Sequence, residues 1–284
     1  CDKGYGKGLI SVDKISVANF NKNPRGNMIN PDGTWKYDVI MLGSWDTNYG
    51  VNPSNDAVNL FSEFIDSGRG FLAGHDTIGY EWGTTKGLGQ IRDKFNIKVG
   101  YWGNSSISTD EGHHYFGGYI GDKVTIKKKG LLTNYPWKIE DTKSAKELDK
   151  DNNVILTVPY SHSTGNFAYG DIWMTYSDNV KYKGSNFPDS LNEKANYYLT
   201  TYNNTAMIQT GHSNGAATPD EQKVLANTLF YLAQVTEDTK WDDHKGQDLK
   251  APTKSELKTV IKDGTNNKLV ISYGESQDIG SSYD

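Results

Sequence analysis

The apolar positions of this chain fall into short continuous runs, separated by stretches where they recur every three or four residues. YDVIMLG (37–43) is a short apolar run that ends in glycine. Such a run reads as a strand covered on both faces, as in a parallel sheet. Ser54 then opens a segment with Ala57, Leu60, Phe61, Phe64 and Ile65 on one stripe, and Gly68 closes it. That pattern predicts a helix with a serine N-cap and a glycine stop. GFLAG (70–74) is the next buried strand, 86–95 a second helical segment and IKVGYW (97–102) a third strand. The β-α-β-α-β order argues for a doubly wound α/β domain. Its first strand is either GLISVDKISVANF (8–20) or a segment before residue 1.

The middle of the chain is strand-rich. VTI (124–126), NVILTVPY (153–160), DIWMTY (171–176) and YYLTTY (197–202) follow one another without a clear helix and read as a β-rich insertion. TAMIQT (205–210) is another buried strand. Thr218-Pro219-Asp220-Glu221 is a capping box with Pro at the first helical position. The helix it starts carries Val224, Leu225, Leu229, Tyr231 and Leu232 and fades near Val235. Beyond 236 the chain turns polar, contains a Pro and shows no apolar period, which reads as a linker. KLVISYGESQDIGSSYD (268–284) alternates like an antiparallel strand and resembles the opening of an immunoglobulin-like or fibronectin-like module. The expected organisation is an α/β domain over 1–236, a linker over 237–265 and the start of a β module over 266–284, within a longer multi-domain protein.

Composition narrows the class. The 284 residues include 30 Gly, 18 Tyr and 7 Trp, with 23% charged residues and a net charge of -5. This is a soluble globular composition. A mildly acidic chain offers no phosphate-neutralising surface, so nucleic acid is not an expected partner. The basic run Lys127-Lys128-Lys129 reads as a solvated turn, and no apolar run reaches membrane-spanning length. The single cysteine, Cys1, excludes an internal disulfide and fits either a lipidated terminus or a cut within a longer chain. Richness in Asn, Tyr, Gly and Lys with almost no Cys matches exported proteins of Gram-positive bacteria, so an extracellular or cell-surface location is expected.

Two patterns carry candidate chemistry. GHSNG (211–215) spells G-x-S-x-G, the serine hydrolase elbow, with Ser213 as nucleophile. An elbow starts its helix at the nucleophile and is followed by an acid and a histidine. Here the helix signal waits until Thr218, and the only downstream histidine is His244 in the polar linker. A glycine-flanked turn is therefore the better reading. The second pattern is a histidine after each of three buried strands. GFLAG leads to His75-Asp76, ILTVPY to Ser161-His162-Ser163 and AMIQT to Gly211-His212-Ser213; VIMLG leads to Ser44-Trp45-Asp46. Open α/β sheets bind ligands outside the carboxyl ends of their strands. If these strands run parallel, the histidines converge on one crevice. Any one of them alone is better read as a structural histidine bonded to a main-chain carbonyl, and three at equivalent strand ends bring the two readings level.

The catalytic candidates are His75, His212 and Asp76. The ligand-contacting candidates are Trp45, Asp46, His75, Asp76, His162, Ser163, Trp173, His212 and Ser213. His75, His162 and His212, with Asp46 or Asp76, are weak candidates for a divalent metal such as zinc, because no H-x-x-x-H spacing accompanies them. No cofactor is expected, and a divalent metal stays open. Trp45, Tyr80, Trp82, Trp102, Tyr169 and Trp173 lie near expected strand ends, where aromatic faces could stack on a sugar ring. His113-His114 read as loop residues and LDKDNN (148–153) as a solvated turn, since it lacks the Gly and terminal Glu of a calcium loop.

NLFSEFIDSGRGFLAGHD (59–76) resembles the helix, glycine turn, strand and histidine of the class I glutamine amidotransferase-like superfamily, in its trehalose-utilisation-like branch. AMIQTGHSNGAATPDEQKVLANTLFYLA (206–233) is similar to the last strand, G-H turn and final helix of that branch. The likeness covers 37–102 and 200–235, and extends to an uncharacterised domain of large Firmicutes surface proteins, often followed by β-sandwich modules. It implies a flavodoxin-like, mostly parallel sheet. It does not imply amidotransferase activity, because the turn that holds the superfamily's nucleophilic Cys reads Ala73-Gly74-His75-Asp76-Thr77 here. The branch is loosely tied to carbohydrate metabolism. The expected function is a non-catalytic binding or structural module of a secreted bacterial surface protein, with a polar or carbohydrate ligand at the strand ends and further β domains on the same polypeptide. The alternatives are a hydrolase, metal-dependent or with a His/Asp general base, and a spacer that has lost its chemistry.

Overall fold

The computed structural model describes residues 4–48, 50–80, 82–100, 107–112, 120–139, 147–177, 191–210, 216–234, 257–263 and 268–273. The chain divides into two compact units, Cys1–Glu237 and Asp238–Asp284. In chain order the first unit contains α1 (Val17–Phe20), α2 (Pro24–Met28), β1 (Val39–Leu42), α3 (Asn55–Asp66), β2 (Gly70–Ala73), β3 (Ile97–Val99), β4 (Ile120–Ile126), α4 (Leu131–Asn134), β5 (Glu147–Leu148), β6 (Val154–His162), β7 (Asn166–Ala168), β8 (Asp171–Tyr176), α5 (Asn192–Ala195), β9 (Tyr197–Tyr202), β10 (Thr205–Ile208) and α6 (Pro219–Gln234). The second unit contributes β11 (Leu257–Asp263) and β12 (Lys268–Tyr273).

The first unit is α/β. Eight strands form one sheet in the order β1-β2-β10-β9-β8-β4-β6-β5. Alternation along β2 decides how it is covered. Phe71 and Ala73 face one side, with Met207, Tyr197 and the α3 residues Phe61 and Phe64. Leu72 faces the other, with Ala206, Ile208 and the α6 residues Val224 and Leu232. A strand buried this way needs apolar side chains on both faces, which is why GFLAG carries no alternation. The helices begin where their caps dictate. Ser54 Oγ accepts from Ala57 N at 3.2 Å, and Thr218 Oγ1 accepts from Glu221 N at 3.1 Å.

The sheet is mixed. β1–β2 and β2–β10 pair in parallel. β10–β9, β9–β8, β8–β4, β4–β6 and β6–β5 pair antiparallel. The strands read as an insertion therefore complete the same sheet. Following the directions across, β1, β2, β10, β8 and β6 all point the same way. The carboxyl ends of β2 and β6 thus lie at one edge, although four strands separate them.

Several expectations need correction. IKVGYW leaves the main sheet: β3 pairs antiparallel with β7, Ile97 opposite Ala168 and Val99 opposite Asn166. Ile97 and Val99 are buried while Lys98 between them is half-buried and reaches Asp93 at 3.5 Å. A central strand would have to bury that lysine, so one covered face is the cheaper solution. GLISVDKISVANF makes no sheet strand. Leu9, Val12 and Ile15 stay exposed, and Ser16 caps the short helix α1 instead. Residues 86–95 are helical as expected, but as a 3-10 stretch, Gly87–Phe95, kinked at Ile91.

In the second unit β11 and β12 pair antiparallel. β11 falls inside the stretch read as linker, so the β structure begins by Leu257 rather than at 266. The pairing shifts register between Leu257 and Thr259. Among the described residues no helix is long and apolar enough to cross a membrane.

Candidate functional site

The turn after β2 organises the strand ends. Gly74 packs so closely on the exit of β1 that a Cβ there would meet Gly43 C and Ser44 N at 2.9 Å each, which reserves the position for glycine. His75 then ties three strands through its main chain. Its carbonyl accepts from Trp45 N at 2.8 Å after β1, and its N–H donates to Thr210 O at 3.4 Å after β10. Asp76 follows in the left-handed region, with φ of 60°, a conformation that Asp tolerates better than most side chains.

The imidazole of His75 is wholly buried. Nε2 donates to the carbonyl of His162 at 3.0 Å, and Nδ1 lies 3.2 Å from Asp76 Oδ2. The two histidine rings meet edge to face, with centroids 4.9 Å apart. His162 in turn directs Nδ1 to the carbonyl of Ser163 at 2.8 Å. The end of β6 is therefore folded over the sheet edge and latched to the turn after β2. Both nitrogens of His75 face protein oxygens, so the ring acts as a latch.

The remaining sequence candidates separate. Trp45 is buried, with its ring 4.8 Å from Tyr80 and 6.2 Å from Trp82. Asp46 begins a 3-10 turn, Asp46–Asn48, and is exposed. Ser163 is buried beneath the latch. Trp173 does not join them. It sits in the first half of β8, donates Nε1 to Thr201 Oγ1 at 2.8 Å and packs against Tyr231 of α6. Tyr169 also lies apart: its hydroxyl donates to Glu111, and burial, helped by that carboxylate, pushes its pKa up to about 12. His212 and Ser213, together with Trp102, His113 and His114, lie outside the described residues. Among the described residues no group of three or more His, Cys, Asp or Glu is placed to hold a metal ion.

Beside the turn a shallow cleft is lined by Asp76, Ile78, Gly79, Tyr80, Gly100, Thr164, Gly165 and Asn166. Asn166 donates Nδ2 to the carbonyl of Ile78 at 2.5 Å and so joins the start of β7 to the β2 turn. On the other side of the turn, Thr77, Trp45, Leu42, Asn48 and Pro53 border a second concavity.

Beneath the rim lies a buried polar layer that the sequence reading misses. Tyr176 closes β8, Tyr197 and Tyr198 open β9, and Gln209 and Thr210 follow β10. Because β9 runs against its neighbours, all five reach the same sheet edge. A signal exists, as each is the polar end of an apolar run, but a tyrosine in a strand reads equally well as core. Tyr198 donates to Glu221 Oε1 at 2.8 Å, and Thr210 Oγ1 donates closely to the same oxygen. A capping box would fold Glu221 back on Thr218; these two hydroxyls draw it inward instead. Asp220, beside it, accepts from Thr157 N at 3.0 Å and ties α6 to β6.

Burial raises the Glu221 carboxyl above its ordinary value of 4.5, against the two hydroxyls that lower it. A raised carboxyl favours the protonated fold. The stability it supplies is complete below the unfolded value and is lost as pH rises through the folded one. Glu221→Gln keeps an acceptor for both hydroxyls and removes this slope. The melting temperature of the native chain should therefore fall relative to that variant as pH rises from 4.5 toward neutrality. A constant difference across that range in thermal melts would refute the assignment.

No protein-family model, no curated protein and no solved structure matches the chain.

Proposed function

We propose that the first unit is a non-catalytic binding or structural module of a secreted, multi-domain bacterial surface protein, and that it receives a polar, carbohydrate-type ligand at the strand-end rim. One observation carries this reading: the imidazole of His75 is wholly buried, gives Nε2 to the carbonyl of His162 and sets Nδ1 3.2 Å from Asp76 Oδ2, so neither nitrogen is open to solvent. A general base needs a nitrogen within reach of a substrate proton. What is left for a ligand is recognition chemistry. Asp76 and Asn166 border the cleft as buried polar groups, and the Trp45–Tyr80–Trp82 cluster adjoins it.

The finer fold assignment belongs to the same proposal. Parallel β1–β2–β10, covered by α3 on one face and α6 on the other, is the part that supports a flavodoxin-like, class I glutamine amidotransferase-like ancestry. The absence of Cys from residues 73–77 argues against amidotransferase chemistry. Location at the cell surface and the further β domains stay proposals of composition and of the β11–β12 pair.

Isothermal titration and thermal-shift screening with mono- and oligosaccharides test the ligand. Binding should appear and should weaken by about tenfold or more in Asp76→Asn, the loss of one charge-assisted hydrogen bond. If no sugar shifts the melting temperature, the ligand drops out and a structural role stands alone.

A hydrolase reading has one observation in its favour. Asp76 is held at positive φ at a strand exit, and backbone strain concentrates at functional sites. Release of reducing sugar from oligosaccharides, abolished in Asp76→Ala, would support it; its absence over prolonged incubation would end it.

A further inference from the structure

We infer that the cleft beside Asp76 selects ligands rich in hydrogen-bond donors, neutral or cationic, and rejects anionic ones; among pyranoses it takes amino and neutral sugars and excludes uronic acids. This rests on the ligand-binding reading above and specifies its substrate class.

Asp76 is 5% exposed and its carboxylate can only accept. Asn166 is 4% exposed and has directed its amide nitrogen to the Ile78 carbonyl, which leaves the amide oxygen on offer. Gly79, with φ of +83°, keeps that oxygen clear, because a Cβ there would lie 3.1 Å from Asn166 Oδ1. Behind the lining, Thr164 receives the Gln209 amide nitrogen at 3.4 Å. The remaining Gln209 oxygen, Oε1, is wholly buried and has no hydrogen-bond partner among the described residues.

Two side-chain acceptors, the Asp76 carboxyl group and the Asn166 amide oxygen, therefore border the cleft. None of the described lining residues is Lys or Arg. A ligand carboxylate brought to this floor would meet the Asp76 carboxyl group with no Lys or Arg in the described lining, while the neighbouring basic group, His75, already holds Nδ1 3.2 Å from Asp76, and burying an unpaired charge is costly. A ligand ammonium would gain a charge-assisted hydrogen bond to Asp76, and a hydroxyl hydrogen would satisfy the Asn166 amide oxygen. Tyr80 at the cleft wall and Trp45 against it favour a ring whose face is apolar or whose edge is cationic.

Glucosamine replaces the C2 hydroxyl of glucose by an ammonium and glucuronate replaces its C6 hydroxymethyl by a carboxylate, so the series varies charge on one ring. Titration of the full chain at neutral pH and low salt should give glucosamine about tenfold tighter than glucose, with glucuronate undetectable. The preference for glucosamine should shrink as salt is raised, since exposed parts of the interaction are screened. In Asp76→Asn the two binding sugars should become equal while glucose binding persists. Glucuronate binding as well as glucose would overturn the inference and leave the carbohydrate reading standing. No binding by any of the three would overturn both. The series on the unaltered chain decides the matter even where Asp76→Asn folds poorly.

Discussion

Raising the pH beyond 10 is expected to unfold the first unit in one cooperative step, driven by three tyrosines. Tyr176, Tyr197 and Tyr198 are essentially inaccessible to solvent, and burial holds each hydroxyl above its ordinary value of 10.0. The surroundings of the phenolates would be hostile. Tyr198 donates to the Glu221 carboxylate, so its ionisation would set two negative charges against each other and delete the bond. Tyr176 packs edge to face on Tyr198, 5.6 Å between centroids, and its hydroxyl faces Ser161 without a well-formed hydrogen bond. Tyr197 directs its hydroxyl to Met207 Sδ at 3.1 Å, a weak acceptor. The fold favours the neutral form of all three. Their contribution is therefore intact below pH 10 and is lost as pH climbs through the folded values. Domain stability is about 5–15 kcal/mol, and each tenfold change in proton affinity is worth about 1.4 kcal/mol, so three such groups can exhaust it. Near-ultraviolet tyrosinate absorbance followed with far-ultraviolet circular dichroism should show two phases. Exposed tyrosines among the 18 ionise first with secondary structure intact, and the buried ones ionise together with its loss. One smooth ionisation of all tyrosines with unchanged dichroism would contradict the burial. Tyr176→Phe removes a buried hydroxyl that lacks a well-formed hydrogen bond, so it should move the second phase to higher pH at little cost near neutrality.

The same residues mark the boundary of what the sequence can tell. The capped helices are legible because their signals are local: Ser54 and Thr218 lie within four residues of the amides they cap, and the apolar stripe of α3 repeats at the helical period. Individual strands are legible too, since GFLAG and AMIQT are apolar on both faces. Their neighbours are not. Nothing in YYLTTY states that it runs against both DIWMTY and TAMIQT, yet that choice makes the sheet mixed and brings Tyr197 and Tyr198 to the strand-end rim. The meeting of His75 with His162 follows from placing both at strand ends, while the route differs. Parallel adjacency is the simple way to bring them together; four intervening strands with alternating directions deliver the same edge. The role of His75 is hidden because its partner is a main-chain carbonyl 87 residues away, and a carbonyl leaves no trace in residue type. Glu221 misleads for the opposite reason. Its spacing from Thr218 satisfies a local rule, and two distant hydroxyls from Tyr198 and Thr210 outcompete it.

Replacing His75 by Ala is expected to cost roughly 3 kcal/mol of stability, the sum of a buried cavity and an abandoned acceptor. The ring fills space between the β2 turn and the end of β6, and its Nε2–H is the donor that the His162 carbonyl receives. Removing it also leaves Asp76 Oδ2 without the nitrogen 3.2 Å away. His162→Ala makes the comparison. The latch uses the carbonyl of His162, so that variant keeps the hydrogen bond and loses only the edge-to-face ring contact and the Nδ1 bond to Ser163 O. Its cost should be about 1 kcal/mol. Urea titration of the two variants measures the difference directly. His75→Gln, which can present an amide N–H toward the same carbonyl, should recover part of the loss. A catalytic histidine would behave otherwise, because active-site groups are commonly replaced with little harm to stability or even with gain. If His75→Ala proves as stable as the parent chain, or if His162→Ala is the more damaging of the two, the latch between β2 and β6 is not what holds this rim together, and the imidazole becomes available again as a reactive group.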